Sequence, residues 1–596
     1  MREIIRQIYD LLSPTERLEA YGCFVAMVFM AIFEVIGIAS ILPFIAVIAD
    51  PEALQHHAKL AWLYNQLHFQ HLHHFLIFLG CSVFGILILS NVITMVATWK
   101  ILNFSCMRDY TLSTKLLSRY LHQPYVFFTT RHSAELANNI ISEIGRVINQ
   151  AFIPLMQIAA KSIAVLFILA LLLSADPILG LTILIVLGGA YSAVYLLTRR
   201  QLIAISKRCV KNIQQKHKIV SESLGGIKEI KLLGKEDRFL AAFSDYTKQY
   251  AGDRALSEVM ATLPRYALEI IAFGGVLLII IYFLFMERNL TDVTPLLALY
   301  AFASIRLMPA LQQIFSAITY IRLGKEPLQL IHQDLNQQSV LPSHHPLLPL
   351  SFNRKLELRN ISYRYPNAAK EVLAGVNLTI SAKSTVGFVG LTGAGKTTII
   401  DIILGLLSPQ QGALLVDDIE LNQHTIASWQ RKIGYVPQSI YLTDDTVAHN
   451  IALGVQDDKI DLQRIESAAR IANIHHFISN DLQDGYQTVV GDRGIRLSGG
   501  QKQRIGIARA LYHDPDVLVL DEATSSLDMI TENAILDAIH QLSRQKTIII
   551  IAHRLTTLTE CDVIHVLHEG EILSSGTYPQ LIESCSHFSK MAMLHS

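Results

Sequence analysis

Residues 385–404 read TVGFVGLTGAGKTTIIDIIL. The first six are apolar enough for a buried strand, and TTIIDIIL suits a buried helix. Between them, Gly390-Leu391-Thr392-Gly393-Ala394-Gly395-Lys396-Thr397 fits the pattern GxxxxGK[ST]. Its glycines let backbone N–H groups close around phosphate oxygens, and the following helix offers its positive N-terminus. Lys396 reaches the outer phosphates, and the Thr397 hydroxyl suits Mg²⁺. A strand, loop and helix in this order predict an α/β nucleotide-binding domain.

Downstream, VLVLDE (517–522) is an apolar run ending in two carboxylates. At a strand end Asp521 is placed to hold Mg²⁺ through water, and Glu522 to polarise an attacking water. Further apolar runs such as KTIIIIAH alternate with helical stretches, which predicts a largely parallel sheet.

Between these motifs lies Leu497-Ser498-Gly499-Gly500-Gln501, followed by KQRIGIARAL. Ser498 and the amides of Gly499 and Gly500 would form an anion nest at a helix start. This segment resembles the signature of ATP-binding cassette (ABC) proteins. The resemblance implies that one subunit's signature covers the ATP bound by the other, so two copies form two equivalent sites. It also implies that Tyr365 in ISYRYPN stacks on adenine and that residues 390–398, with Thr398, bind the phosphates. Gln438 in GYVPQSIYL touches Mg²⁺ and the membrane domain, Asp528 in SSLD crosses the dimer, and His553 in IIIIAHRL contacts the γ-phosphate. TVVGDRG (488–494) resembles the exporter segment that meets the coupling helices, with Asp492 where glutamate is commoner.

The first half is of a different kind. Hydrophobic residues make up 51% of the 596 and charged residues 17%, against about 25% charged in an average soluble domain. Apolar stretches near 20–48, 75–98, 150–174, 177–197, 264–286 and 293–318 are each long enough to cross the hydrocarbon, which takes about 20 helical residues. Lysine and arginine crowd the two long connections, after spans two and four, and are sparse in the others. Both termini and these connections are therefore expected on the cytoplasmic side of the membrane. The expected layout is a six-span α-helical transmembrane domain over 1–325, a linker over 326–350 rich in Gln, His and Pro, and an ABC ATP-binding domain over 351–596. That is the layout of an exporter-type half-transporter working as a homodimer with ATP and Mg²⁺. QPYVFFTTRHSAEL (123–136) and SLGGIKEIKLLGKE (223–236) resemble its two coupling helices.

Other features narrow the classes. The net charge of +0 points to no nucleic-acid partner. Six scattered cysteines show no CxxC spacing, so neither a disulfide framework nor a zinc site is expected. The start REIIRQIYDLLSPTERLE has a mixed-charge amphipathic pattern, so no cleavable signal peptide is expected. Residues 52–74 predict a short interfacial helix outside the membrane; its six histidines read either as a solvated face or as a metal site. A cassette ATPase acting as a soluble mechanical or regulatory protein is the alternative class, and six spans count against it.

Within the family, IFEVIGIASILPFIAVIAD (32–50), the external helix, LPRYALE (263–269) and SIRLMP (304–309) resemble the bacterial flippases of lipid-linked oligosaccharides. That resemblance implies a polyprenyl-diphosphate glycolipid as substrate; export of another lipid, a lipopolysaccharide precursor or an amphipathic drug is the alternative. Arg265 and Arg306 fit the first reading. A cation at mid-bilayer costs at least about 2.5–3.5 kcal/mol, so each is expected to face a cavity or a partner. At about 1.5 Å per residue, Arg265 lies about 33 Å and Arg306 about 20 Å from the external ends of their spans. The two could receive a diphosphate, or Arg265 could pair with Glu269 at i+4 and Arg306 with Glu34.

Overall fold

The computed structural model describes residues 2–49, 58–67, 69, 71–175, 177–285, 294–336, 350–366, 368–522, 542–543, 545–552 and 555–595. The chain divides into two compact units: 1–121 with 133–339, and 122–132 with 340–596.

The first unit is helical. It begins with Arg2–Leu11, whose Ile4, Ile8 and Leu11 are buried one helical turn apart. Ser13, Pro14 and Glu16 then form a capping box that starts the helix Pro14–Ala39. Ile41–Ala49 continues the first span after a break at Ser40. The second span belongs to the 50-residue helix Leu72–Leu121. The third, Ile153–Ala175, is reached through two π-helical turns, Asn139–Glu143 and Ile148–Phe152. Pro177–Gly225, Glu236–Phe285 and Thr294–Leu323 carry the fourth to sixth, with Pro309 inside the last. Pro14–Ile45, Leu72–Leu121 and Ser133–Ser174 are, among the described residues, long and apolar enough to cross a membrane.

Arg108, one of the cations assigned to the first cytoplasmic connection, is buried and bridges Glu16 and Glu19. The expected linker begins as a helix, Lys325–Asn336, because Leu328, Ile331 and Leu335 bury one face and Pro327 sits in the first turn, where a missing N–H costs nothing. Asp334 anchors it: Tyr120 donates to Asp334 Oδ2 at 2.5 Å, and Asn139 Nδ2 donates to the Tyr120 hydroxyl at 3.2 Å. Residues 337–349 lie outside the described set.

The external segment includes a helix, Ala58–Gln66, with Tyr64 set edge-on against Phe75 at 5.2 Å. His56, His57 and His68 lie outside the described residues. Among the described residues, no three His, Cys, Asp or Glu side chains are grouped to hold a metal.

The second unit is the α/β domain. Its described strands are β1, Lys355–Tyr363; β2, Leu373–Ser381; β3, Thr385–Gly390; β4, Gln411–Val416; β5, Ile419–Glu420; β6, Ile433–Val436; β7, Val517–Asp521; β8, Thr547–Ile551; β9, Val563–His568; and β10, Glu571–Gly576. They form an antiparallel sheet, β2-β1-β4-β5, and a six-stranded sheet, β10-β9-β3-β8-β7-β6, in which β3 and β6 to β9 run parallel. β7 and β8 are buried throughout, as a parallel sheet covered on both faces requires.

His565 of β9 lies in this core, tilted against Phe388 and sharing a 2.7 Å hydrogen bond with Ser575, while its Nε2 is buried without a partner. Burial pulls its imidazole down to about 4. The unfolded chain takes up that proton near pH 6.5, so the stability held by the neutral ring is complete above that pH and lost as pH falls toward 4. Replacing His565 with Asn is expected to remove up to about 3 kcal/mol of acid destabilisation. Thermal unfolding of the full chain in detergent at neutral and acid pH checks this. Equal acid sensitivity of both proteins would contradict it.

Candidate nucleotide site

The phosphate loop follows β3, and the two carboxylates end and follow β7, two strands away across β8. Because these strands are parallel, both motifs reach the same edge of the sheet, where ligands bind in open α/β folds. Register confirms the alignment: Phe388 and Asp521 both pair with Ile551.

The loop needs its glycines. A Cβ on Gly390 would sit 2.4 Å from the Leu567 carbonyl oxygen. Gly395 has a φ of +100°, and a Cβ there would meet Leu373 at 2.8 Å. The helix Lys396–Ile403 then packs Ile399, Ile400, Ile402 and Ile403 into the core. Ala394 and Thr398 are buried with it, while Thr392 and Thr397 are exposed.

Lys396 is buried, and its ammonium donates to the Gly390 oxygen at 2.7 Å and the Leu391 oxygen at 3.2 Å. Burial lowers its proton affinity, opposed by the charges of Glu522 and Asp521. An anion bound in the loop would reverse that.

Gln438 Nε2 donates to Glu522 Oε2 at 2.5 Å, and the Tyr435 hydroxyl donates to Asp521 Oδ2 at 3.4 Å. Glu522 sits at φ +52°, an uncommon conformation for a side-chain residue, with its N–H tied to the Ile551 oxygen. Tyr365 is half-buried, with its hydroxyl 3.3 Å from Thr398 Oγ1 and its ring edge-on to Tyr363.

Ser498 caps the helix Gly499–Tyr512 in a reciprocal box: its N–H donates to Gln501 Oε1 at 2.8 Å, and Gln501 N–H donates back to its hydroxyl. Ser498 and Gly499 are exposed, and Gly500 is half-buried. Asp528 and His553 lie outside the described residues.

One group was not singled out by sequence. Asp401, on the buried face of the phosphate-loop helix, is pushed up to about 6 by burial, with the Asp521 charge adding to it. Its field reaches Tyr363, Tyr435 and Tyr125. Tyr125 belongs to the short helix Tyr125–Thr130, and the neighbouring Val126 packs on the core of the sheet. Residues 123–132 of the segment resembling the first coupling helix thus belong to the compact unit of the nucleotide domain, and 133–136 to the first unit. A carboxylate among the isoleucines of TTIIDIIL was the available signal. The second coupling segment forms the helix Ile227–Leu233, closed by Gly234 at φ +59°.

Residues 373–525 match the ABC transporter family model and 20–310 the ABC transporter transmembrane region. An ATP-dependent lipid A-core flippase of Cupriavidus metallidurans is 30% identical over 471 residues, 78% of each chain. The chain belongs to the ABC transporter family. Proteins named as the same flippase match in Chromohalobacter salexigens, at 29% over 85% of this chain and 87% of theirs, and in Escherichia coli K12, at 28% over 87% and 88%. A solved bacterial Atm1-family ABC exporter with ATP bound shares the fold, with a TM-score of 0.77 and 23% identity over 97% of this chain and 98% of that one.

As an ABC transporter this chain couples ATP hydrolysis to transport through its transmembrane domain. The site fits the nucleotide: the loop has no room for side chains at Gly390 and Gly395, and among the described residues the buried Lys396 donates to neutral carbonyls. Thr397, Gln438 and Asp521 supply the hard oxygen donors that Mg²⁺ prefers.

Among the membrane charges, Arg306 faces Glu34 at 3.7 Å and Asn91 at 3.4 Å. The carboxylate partner considered from sequence is therefore present. The side chain of Arg265 lies outside the described residues, and with it the pairing to Glu269.

Proposed function

We propose that two copies of this chain form a homodimer in the bacterial inner membrane, with the nucleotide domains in the cytoplasm, and flip an anionic glycolipid of the polyprenyl-diphosphate-oligosaccharide class. The carrying observation is Arg306: a permanent cation, with its side chain 35% exposed, within an apolar span of a chain whose relatives are named lipid flippases. The names of those relatives favour a second reading, a lipid A-core substrate.

In this reading Lys396 and the loop amides hold the phosphates, and Tyr365 supports the base. Thr397, Gln438 and Asp521 hold Mg²⁺, which supplies charge neutralisation on the phosphates. Glu522, fixed by Gln438, takes the proton from the attacking water, and Asp528 and His553 complete the site. Ser498, Gly499, Gly500 and Gln501 present the exposed helix start to the partner's nucleotide.

Arg265 and Arg306 together receive the headgroup. Replacing both with Ala is expected to cut flipping per ATP hydrolysed at least about tenfold in reconstituted vesicles, since each charge-assisted phosphate contact contributes about 1.5–3 kcal/mol. Unchanged flipping per ATP would assign both arginines to structure.

A further inference from the structure

Glu34 and Arg306 make an unequal pair. Glu34, on the helix Pro14–Ala39, has a side chain 8% exposed, and its Oε2 is buried with no hydrogen-bond partner. Arg306, on Thr294–Leu323, is 35% exposed. Its contacts are long: Nη1 is 3.7 Å from Glu34 Oε1, and Nη2 is 3.4 Å from Asn91 Oδ1. The Asn91 amide is anchored by its own 2.8 Å bond to the Leu87 oxygen. Around them Ile38, Ala303 and Leu307 belong to one apolar cluster.

A guanidinium and carboxylate in good geometry meet bidentately at about 2.7–2.9 Å. At 3.7 Å the attraction is Coulombic without a hydrogen bond. The anion is locked inside the protein, whereas the cation is accessible and loosely held. Such a cation is neutralised at rest, yet open to exchange.

We propose that Glu34 is the resident counter-ion of Arg306, and that a lipid headgroup binds there by displacing it. This rests on the reading that Arg306 receives the headgroup. The exchange sets a threshold. A neutral lipid offers nothing to replace the carboxylate. A singly charged headgroup replaces one unit charge with another, gains little attraction, and leaves Glu34 buried without its partner. A diphosphate brings more charge and several acceptor oxygens, so it reaches both Nη groups at short distance and wins. Glu34 is thus a specificity-determining residue that keeps abundant singly charged lipids from engaging the transporter.

The test uses the full chain in phosphatidylcholine nanodiscs. ATPase stimulation is titrated with undecaprenyl diphosphate and, separately, with phosphatidylglycerol. The native protein is expected to respond to the diphosphate at a concentration at least about tenfold lower than to phosphatidylglycerol. E34Q is expected to respond to phosphatidylglycerol at a concentration lowered about tenfold, bringing the two lipids within about threefold of each other. E34D keeps the carboxylate on a shorter arm and is expected to narrow the native ratio less than E34Q does, by about threefold. If E34Q retains the native ratio, Glu34 is structural and the inference is overturned. If R306Q still responds to the diphosphate as the native protein does, the underlying reading of Arg306 fails instead. Should E34Q not fold, E34D alone decides: its shorter arm weakens the pair, so a narrowing of about threefold is expected, and an unchanged ratio overturns the inference.

Discussion

Glu522→Gln is expected to lower steady-state ATP turnover at least about a hundredfold, the usual contribution of a positioned general base. The substitution keeps the shape of the side chain and removes its ability to take a proton. Its surroundings show why the position is demanding. Glu522 follows directly on a buried strand, its backbone is turned to φ +52°, and its N–H is held by the Ile551 carbonyl of the adjacent strand. Its carboxylate accepts from Gln438 at 2.5 Å. The carboxylate is thereby set beside Asp521 with little freedom. Because Lys396, Thr397 and the phosphate loop are untouched, the variant should still bind ATP and accumulate as an ATP-bound dimer. Phosphate release and binding of a fluorescent ATP analogue check the two halves of this expectation. Turnover within about threefold of native would reject Glu522 as the base.

Lys396→Ala has a comparably large expected effect at an earlier step. The ammonium is buried at the start of the phosphate-loop helix and donates to two neutral carbonyls of its own loop. Burial works against its charge, so an arriving polyphosphate gives it a partner worth more than the one it leaves. Losing a charge-assisted contact of this kind costs about 2–3 kcal/mol, or about a hundredfold in Kd for ATP. Equilibrium nucleotide binding to the full chain measures this directly. An unchanged Kd would mean that the backbone amides hold the phosphates alone.

Much of this architecture was legible in the sequence where local chemistry and global fold agree. Gly390 and Gly395 sit where any side chain would strike Leu567 or Leu373. Ser498 and Gln501 form the capping box that their spacing suggests. The apolar runs became long helices, and VLVLD became a buried strand that ends in Asp521, with Glu522 next, at the same edge of the sheet as the phosphate loop.

What escaped the sequence depends on contacts between distant segments. Residues 326–350 read as linker because they are rich in Gln, His and Pro, yet in the part up to Asn336 three apolar side chains at helical spacing and the Tyr120–Asp334 bond hold a helix on the first unit. The two π-turns before the third span have no compositional mark. Asp401 reads as one polar residue in an apolar helix; its environment appears only when Tyr125, Tyr435 and Asp521 are brought around it by three separate elements. For Arg306 the sequence offered two partners, and the geometry supplies the carboxylate one, at a distance long enough to be exchanged.

The central claim is that ATP hydrolysis drives an anionic glycolipid across the bilayer. The most direct measurement reconstitutes the purified chain in vesicles and follows loss of a fluorescent polyprenyl-diphosphate oligosaccharide from one leaflet, beside a lipid A-core lipid and a neutral glycolipid. The account predicts ATP-dependent flipping of the diphosphate-linked glycan, abolished by E522Q, with the neutral glycolipid left in place. Flipping that proceeds equally without ATP, or that takes the neutral lipid as readily as the diphosphate, would contradict it.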